Sequence, residues 1–317
     1  MDIAPQFSSG CCQHHLNCFR YLRNKKMERS TTKLLPLDLA TFAYISISAI
    51  FMTLCSWKLS GIGVHLLVRL GFVMVAWWLI VAEQKSSKVL LSFFRRAYPL
   101  AFLGYFYSET DYLNNLLFSN FDPNIFSLEQ SLFGFQPSIS FFQHFPMPWF
   151  SELMNFGYFS YYFLVFGLTV WLFIRNRKMF DYSLFVIVFS FYIYYLIFIA
   201  FPVAGPQYFL PESLRHIPNS GIFREMVVLV ERLGEGPTAA FPSSHVGIGI
   251  IIIILCAKYA KPLLAWVLPL VFILCLSTVY VKAHYAIDVL AGFISAPLIY
   301  LVSSHTYRWL VKFAMRR

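Results

Sequence analysis

Charge is scarce in this 317-residue chain: Asp, Glu, Lys and Arg together make 13%, against 58% hydrophobic residues. No soluble domain of that length could cover so apolar a composition with polar surface, so the solvent for most of the chain is lipid. Paired cysteine spacing is lacking as well. Of the six cysteines, Cys55, Cys256 and Cys275 lie in or beside apolar spans, while Cys11, Cys12 and Cys18 crowd a basic amino terminus, which excludes a secreted disulfide framework. The tract Cys11-Cys12-Gln13-His14-His15 is followed by no second ligand pair at zinc-finger spacing, so no metal site is expected. There is no internal repeat and no low-complexity tract. Residues 1–36 are polar and basic without the apolar core of a secretory signal, and read as a disordered cytoplasmic tail or, in part, as sequence upstream of a start at Met27.

What the chain does have is apolar runs of bilayer length, near 37–57, 62–82, 97–118, 152–174, 182–202, 239–257, 262–281 and 285–303. They predict an all-α, polytopic membrane bundle of about eight transmembrane helices. The third run is loaded by Glu109, Asp111, Asn114 and Asn115. A net charge of +10 would suggest nucleic acid in a soluble protein, but here the cations sit in short tracts between spans and set orientation instead. Nineteen of the 25 Lys and Arg residues fall on one side: Arg20 to Lys33, Lys85 to Arg96, Arg175 to Lys178, Lys258 and Lys261, and Arg308 to Arg317. That side is expected to be cytoplasmic and to hold both termini. Only Lys58, Arg215, Arg224, Arg232 and Lys282 fall outside, with Arg69 within a span.

Two long outer segments remain, 119–151 and 203–238. The first is rich in Phe and is expected to lie in the headgroup layer. In the second, Ser220 is placed to cap a helix whose Ile222, Phe223, Met226, Val227 and Val230 oppose Arg224, Glu225, Glu231 and Arg232, and which is expected to float at the interface. Amphipathicity alone does not decide between lipid access and plain loop packing for either segment.

Polar residues stand where hydrocarbon belongs in two places. Phe241-Pro242-Ser243-Ser244-His245 opens the sixth span, where free amides and the positive helix end favour an anion such as phosphate. Taken singly, that tract is more often a cap with a satisfied histidine. The second is Thr278-Val279-Tyr280-Val281-Lys282-Ala283-His284-Tyr285-Ala286-Ile287-Asp288, which joins the last two spans. His284 and Asp288 are four apart and would share one helical face, and a carboxylate inside a membrane implies a function by default, with a structural partner the bland alternative. The span order brings His245 and His284 to the same outer face.

These two tracts resemble the signature of the type 2 phosphatidic acid phosphatase superfamily. Ala240 to His245 and His284 to Val289 are similar in particular to the branch of inositol phosphorylceramide synthases. The likeness covers 97–303, leaving 37–96 as two additional helices and 304–317 as a basic cytoplasmic tail. It implies a six-helix catalytic core in which His284 attacks phosphorus to form a phosphohistidine, Asp288 orients His284, and His245 protonates the departing oxygen. Ser243, Ser244, Lys282, Thr278 and Gln207 would face the phosphate, with no metal or cofactor required. A phospholipid or other lipid phosphate would be the substrate, at the outer face of the cell membrane.

The chain departs from the pattern in three places. Ser244 replaces a Gly, Thr278 replaces an Arg, and Phe201-Pro202-Val203-Ala204-Gly205-Pro206-Gln207-Tyr208 stands where a Lys-rich motif belongs. The two lost cations favour a singly charged diester donor over a doubly charged monoester. Water as acceptor would make a phosphatase, a lipid or sugar alcohol a transferase. Glu109, Asp111, Glu152, Asn155, Tyr158 and Tyr162 are candidates for holding an acceptor's hydroxyls, although the tyrosines fit interfacial anchors better. A transporter is disfavoured by the lack of repeats and of mid-membrane polar groups. An inactive scaffold is disfavoured by the intact histidines and aspartate.

Overall fold

The computed structural model describes residues 34–315 apart from 87, 216, 218–220 and 235, and all regular structure among them is helical. Ser220 and the amino-terminal tail with its cysteines and histidines lie outside the described residues. In chain order the helices are α1 (Pro36–Leu54), α2 (Ile62–Lys85), α3 (Val89–Leu113), α4 (Asp122–Phe133), α5 (Pro137–His144), α6 (Pro148–Arg175), α7 (Arg177–Ala200), α8 (Ile222–Gly234), α9 (Ser244–Tyr259), α10 (Leu264–Tyr280) and α11 (Ala286–Met315). Short helical turns also occur at Ser56–Lys58, Pro206–Phe209, Glu212–Arg215 and Lys261–Leu263.

Among the described residues, six helices are long and apolar enough to cross a membrane: α1, α2, α6, α7, α10 with the turn before it, and α11. The chain is therefore an all-α, multi-pass membrane protein. The other two expected spans differ. α9 is apolar but has only 16 residues, a rise of about 24 Å against a hydrocarbon core of about 30 Å. α3 is long enough, yet it begins at Val89 rather than 97 and so takes in Arg95 and Arg96, which the sequence places in a connecting loop. Those cations are tolerated because each meets a carboxylate. The Arg95 guanidinium grips Asp38 at the start of α1 with both terminal nitrogens, and Arg96 pairs with Glu83 at the end of α2 and, at 3.0 Å, with Asp181 at the start of α7. Elsewhere in α1 to α3, Arg69 makes a two-pronged pair with Glu109, and His65 Nδ1 lies 2.9 Å from the same carboxylate.

α7 is the core helix. Phe185, Val186, Ile187 and Val188 are all buried in succession, as expected of a helix covered on every side. α9 packs tightly against it at Gly247, where a Cβ would collide with the Tyr194 hydroxyl.

The long segments 119–151 and 203–238 are docked rather than afloat. Glu152 of α6 accepts hydrogen bonds from the Phe223 amide at 2.7 Å and the Arg224 amide at 3.3 Å, clamping the start of α8. Val227 of α8 is buried in a cluster with Met154, Tyr158, Ile217, Tyr280, Val281 and Ala283. Glu152 is thus occupied by backbone amides rather than open to an acceptor. α4 likewise turns acidic side chains inward, as its contacts with the site show.

Candidate active site

The site forms where the chain enters α9 and α11. Phe241-Pro242 is a cis peptide, after which Ser243 caps α9 by accepting the Val246 amide at 3.3 Å. The Ser243 amide donates to the Asp288 carbonyl at 3.0 Å, so the first turns of α9 and α11 are fastened to each other. His245 follows in the first turn of α9. His284 lies just before α11, held by its own amide to the Thr278 carbonyl at 3.0 Å.

These two histidines, 39 residues apart in sequence, meet with His245 Nδ1 3.2 Å from His284 Nε2 and their ring planes at 69°. His284 Nδ1 is 2.7 Å from the Ala240 carbonyl oxygen. A carbonyl only accepts, so His284 Nδ1 carries the proton and, in a neutral ring, Nε2 holds the lone pair. His245 Nδ1 is then the donor in the contact between the rings. The pair is buried, and His245 sits between Tyr158 and Tyr161 of α6, with ring centroids 4.8 and 4.4 Å away.

Asp288 takes a different place from the one its spacing suggests. Because His284 precedes the helix, the two side chains do not stack along one helical face. Asp288 Oδ2 accepts the Tyr285 amide at 2.7 Å and stands 3.6 Å from His284 Nδ1, close enough for charge to act but too far for a hydrogen bond. The tautomer is set by Ala240 instead. Asp288 is wholly buried, and its Oδ1 has no hydrogen-bond partner.

Of the remaining expected residues, Ser243 and Ser244 are buried in the first turn of α9. Gln207 lies beside the second tract because its amide donates to the Lys282 carbonyl at 2.8 Å. Lys282 adopts a left-handed backbone, φ +66°, and its ammonium lies 4.6 Å from the centroid of the Phe142 ring on α5. Burial, followed by the nearby Arg224, pushes its pKa down to about 8. Thr278 is not brought to the phosphate position by its hydroxyl, which bonds back to the Cys275 carbonyl at 2.8 Å; its contribution is the carbonyl that holds His284.

Several groups were not singled out by the sequence. Asp122 of α4 accepts the amides of Ala204 at 2.6 Å and Gly205 at 2.9 Å and the Tyr285 hydroxyl at 2.9 Å, which ties the 203–207 segment to the start of α11. Glu129, two turns further along α4, accepts the Ile287 amide at 3.1 Å with one oxygen and leaves the other buried without a partner. Burial lifts its pKa to about 7, with the Asp288 charge adding to the rise and the amide bonds opposing it. A signal did exist: these are the only two acids in 119–151, and they are seven apart, on one face of a helix. Tyr158 belongs here too; it is buried against His245 and is not an interfacial anchor. Glu109 is paired with Arg69, and the Asn155 amide donates to the Ser151 carbonyl at 2.7 Å. Among the described residues, no three His, Cys, Asp or Glu side chains converge to hold a metal ion.

A family model described as PAP2 superfamily matches residues 123–302, more than half of the chain and the stretch that contains His245, His284, Asp288 and Glu129. No curated protein and no solved structure matches.

Proposed function

Since the chain belongs to the PAP2 superfamily, we propose that it is a membrane phosphoesterase or phosphotransferase acting on a lipid phosphate or phosphodiester through a covalent phosphohistidine. The observation that carries this reading is the 3.2 Å contact between His245 and His284, which sets a lone pair beside a transferable proton on two buried rings.

In the proposed cycle the phosphoryl group replaces the hydrogen bond between the rings, so substrate entry parts the two nitrogens. The negative charge of the phosphate favours the imidazolium form of His245. His284 Nε2 attacks phosphorus; the bond from phosphorus to the departing oxygen breaks, and that oxygen takes the Nδ1 proton of His245. The phosphorylated His284 ring keeps its Nδ1 proton on the Ala240 carbonyl, and its positive charge is offset by Asp288 at 3.6 Å. An incoming water or alcohol then gives a proton to His245 Nδ1 as its oxygen displaces His284, which restores both rings. Ser243, Ser244, Lys282 and Gln207 flank the phosphate.

The finer reading is a transferase within a catalytic domain spanning 97–303, moving a phosphorylated headgroup such as inositol phosphate to a lipid alcohol. The likeness of Ala240 to His245 and His284 to Val289 to inositol phosphorylceramide synthases supports it. The distribution of Lys and Arg supports a site on the outer side with both termini cytoplasmic.

Incubating the purified chain with a lipid donor labelled at phosphorus, and mapping the label under alkaline conditions, is expected to place it on His284. His284→Ala is expected to lose the label and to lower turnover by about 10³-fold or more. Full turnover of that variant on every lipid phosphate tested would sink the reading. Membrane lipids compared with and without the protein separate the acceptors: loss of a headgroup-bearing phospholipid indicates a transferase, a change in lipid phosphate a phosphatase.

A further inference from the structure

Lys282 is 2% exposed and its ammonium has no hydrogen-bond acceptor among the described residues; what it faces is the Phe142 ring and the positive charge of Arg224. Arg224 comes from α8, outside both sequence tracts. Its guanidinium touches Glu231 through one terminal nitrogen at 3.4 Å, while its Nε is buried without a partner. Val227, one turn on, is buried in the same cluster as Tyr158, the ring that packs on His245. That cluster also holds Val281 and Ala283, so α8 packs on the two chain neighbours of Lys282 one turn from Arg224. Two like charges crowded in a low-dielectric place, one of them with no acceptor, is an arrangement that an anion would relieve.

We propose that Lys282 and Arg224 together form one subsite for a doubly charged phosphate group, with α8 delivering the second cation. The proposal rests on the phosphoester reading and narrows it: Arg224 supplies from an interhelical segment the charge missing at Thr278, so the substrate class becomes a phosphate dianion, either a monoester or the terminal phosphate of a longer headgroup, in place of the singly charged diester that the two lost cations favoured. The docking of α8 through Glu152 is then what positions Arg224.

Inorganic phosphate is the probe. Its binding to the purified full chain, followed by titration calorimetry near pH 7, is expected to weaken about tenfold or more in Arg224→Gln and in Lys282→Gln, and to be largely retained in Arg224→Lys. Arg232→Gln, an exposed change on the same helix, is expected to leave it unaltered. Short-chain substrates locate the source: a raised KM for a lipid phosphate monoester, but not for a dialkyl phosphodiester, assigns the subsite to the reacting phosphate. A raised KM only for donors with a second phosphate in the headgroup assigns it to that group. His284→Ala keeps the two claims apart, since it removes turnover on the enzymatic reading while phosphate binding by that variant should still weaken when Arg224→Gln is added. No detectable phosphate binding by the unaltered chain, or binding by Arg224→Gln and Lys282→Gln as tight as that of the unaltered chain, overturns the subsite whatever the catalytic result.

Discussion

The Arg69–Glu109 cluster of α1 to α3 and the His245–His284 site between α4 and α11 both bury polar groups in helices surrounded by lipid, and they handle charge in opposite ways. In the first, each guanidinium meets a carboxylate: Glu109 takes both terminal nitrogens of Arg69, Ser48 accepts from one of them at 3.0 Å, and Asp38 does for Arg95 what Glu109 does for Arg69, leaving only the Nε of each arginine buried without a hydrogen bond. In the second, the charges are left over. Among the described residues Lys282 has no carboxylate, and Asp288 and Glu129 each keep one buried oxygen without a donor. A matched cluster can fasten helices and nothing more is asked of it, whereas unmatched groups are stable only in a fold that over-determines them and are available to a visitor. The boundary between the two kinds of region follows the family match, which begins at residue 123.

Unmatching the first cluster gives the largest expected effect. Glu109→Leu strands the Arg69 charge and is expected to cost about 3–5 kcal/mol of stability, read as a lower Tm in detergent. The pair Arg69→Met with Glu109→Leu should recover most of that loss, and turnover per folded molecule should not change in either variant. A loss of turnover in the folded fraction would break the comparison by making α1 to α3 part of the site.

Gly205→Ala tests the opposite region. Gly205 has φ +91°, and a Cβ there would lie 2.6 Å from the Ala283 carbonyl oxygen. The strain is about 1–3 kcal/mol. Because Gly205 abuts the residue before His284, the proposed nucleophile shifts with it, and turnover should fall by about 10- to 100-fold. A full-activity Gly205→Ala enzyme would show that the 203–207 segment does not set the position of His284.

The smallest effect is one of pH. Glu129 is raised from its ordinary 4.5 to about 7, so between those values the folded chain holds a proton that the unfolded chain has released. Stability must then fall as pH rises through that window. Glu129→Gln should remove this slope, seen as a difference of only a few degrees in Tm between the two proteins across the window. Parallel curves would show that Glu129 is as well matched as Glu109.

The sequence carried the helical architecture and the meeting of His245 with His284 because each depends on local composition or on span order. It misplaced what depends on contacts between distant residues. Arg95 and Arg96 read as loop residues because their partners Asp38, Glu83 and Asp181 sit on three other helices. Asp122 bonds Tyr285 across 163 positions, a distance no periodicity can report. The spacing of His284 and Asp288 suggested a shared helical face, but α11 begins only at Ala286, so the imidazole hangs from a turn and finds a different acceptor. Tyr158 has the composition of a headgroup anchor, and only the docking of α8 reveals it as an inner residue.

That different acceptor is a main-chain oxygen, at Ala240. A side-chain acceptor could be deleted by one codon change; this one belongs to the polymer itself and persists whichever residue occupies the position. The proton on the far nitrogen of His284 is accordingly fixed by the route the chain takes into α9. Side chains around the histidine pair can be exchanged while Nε2 of His284 keeps its lone pair throughout.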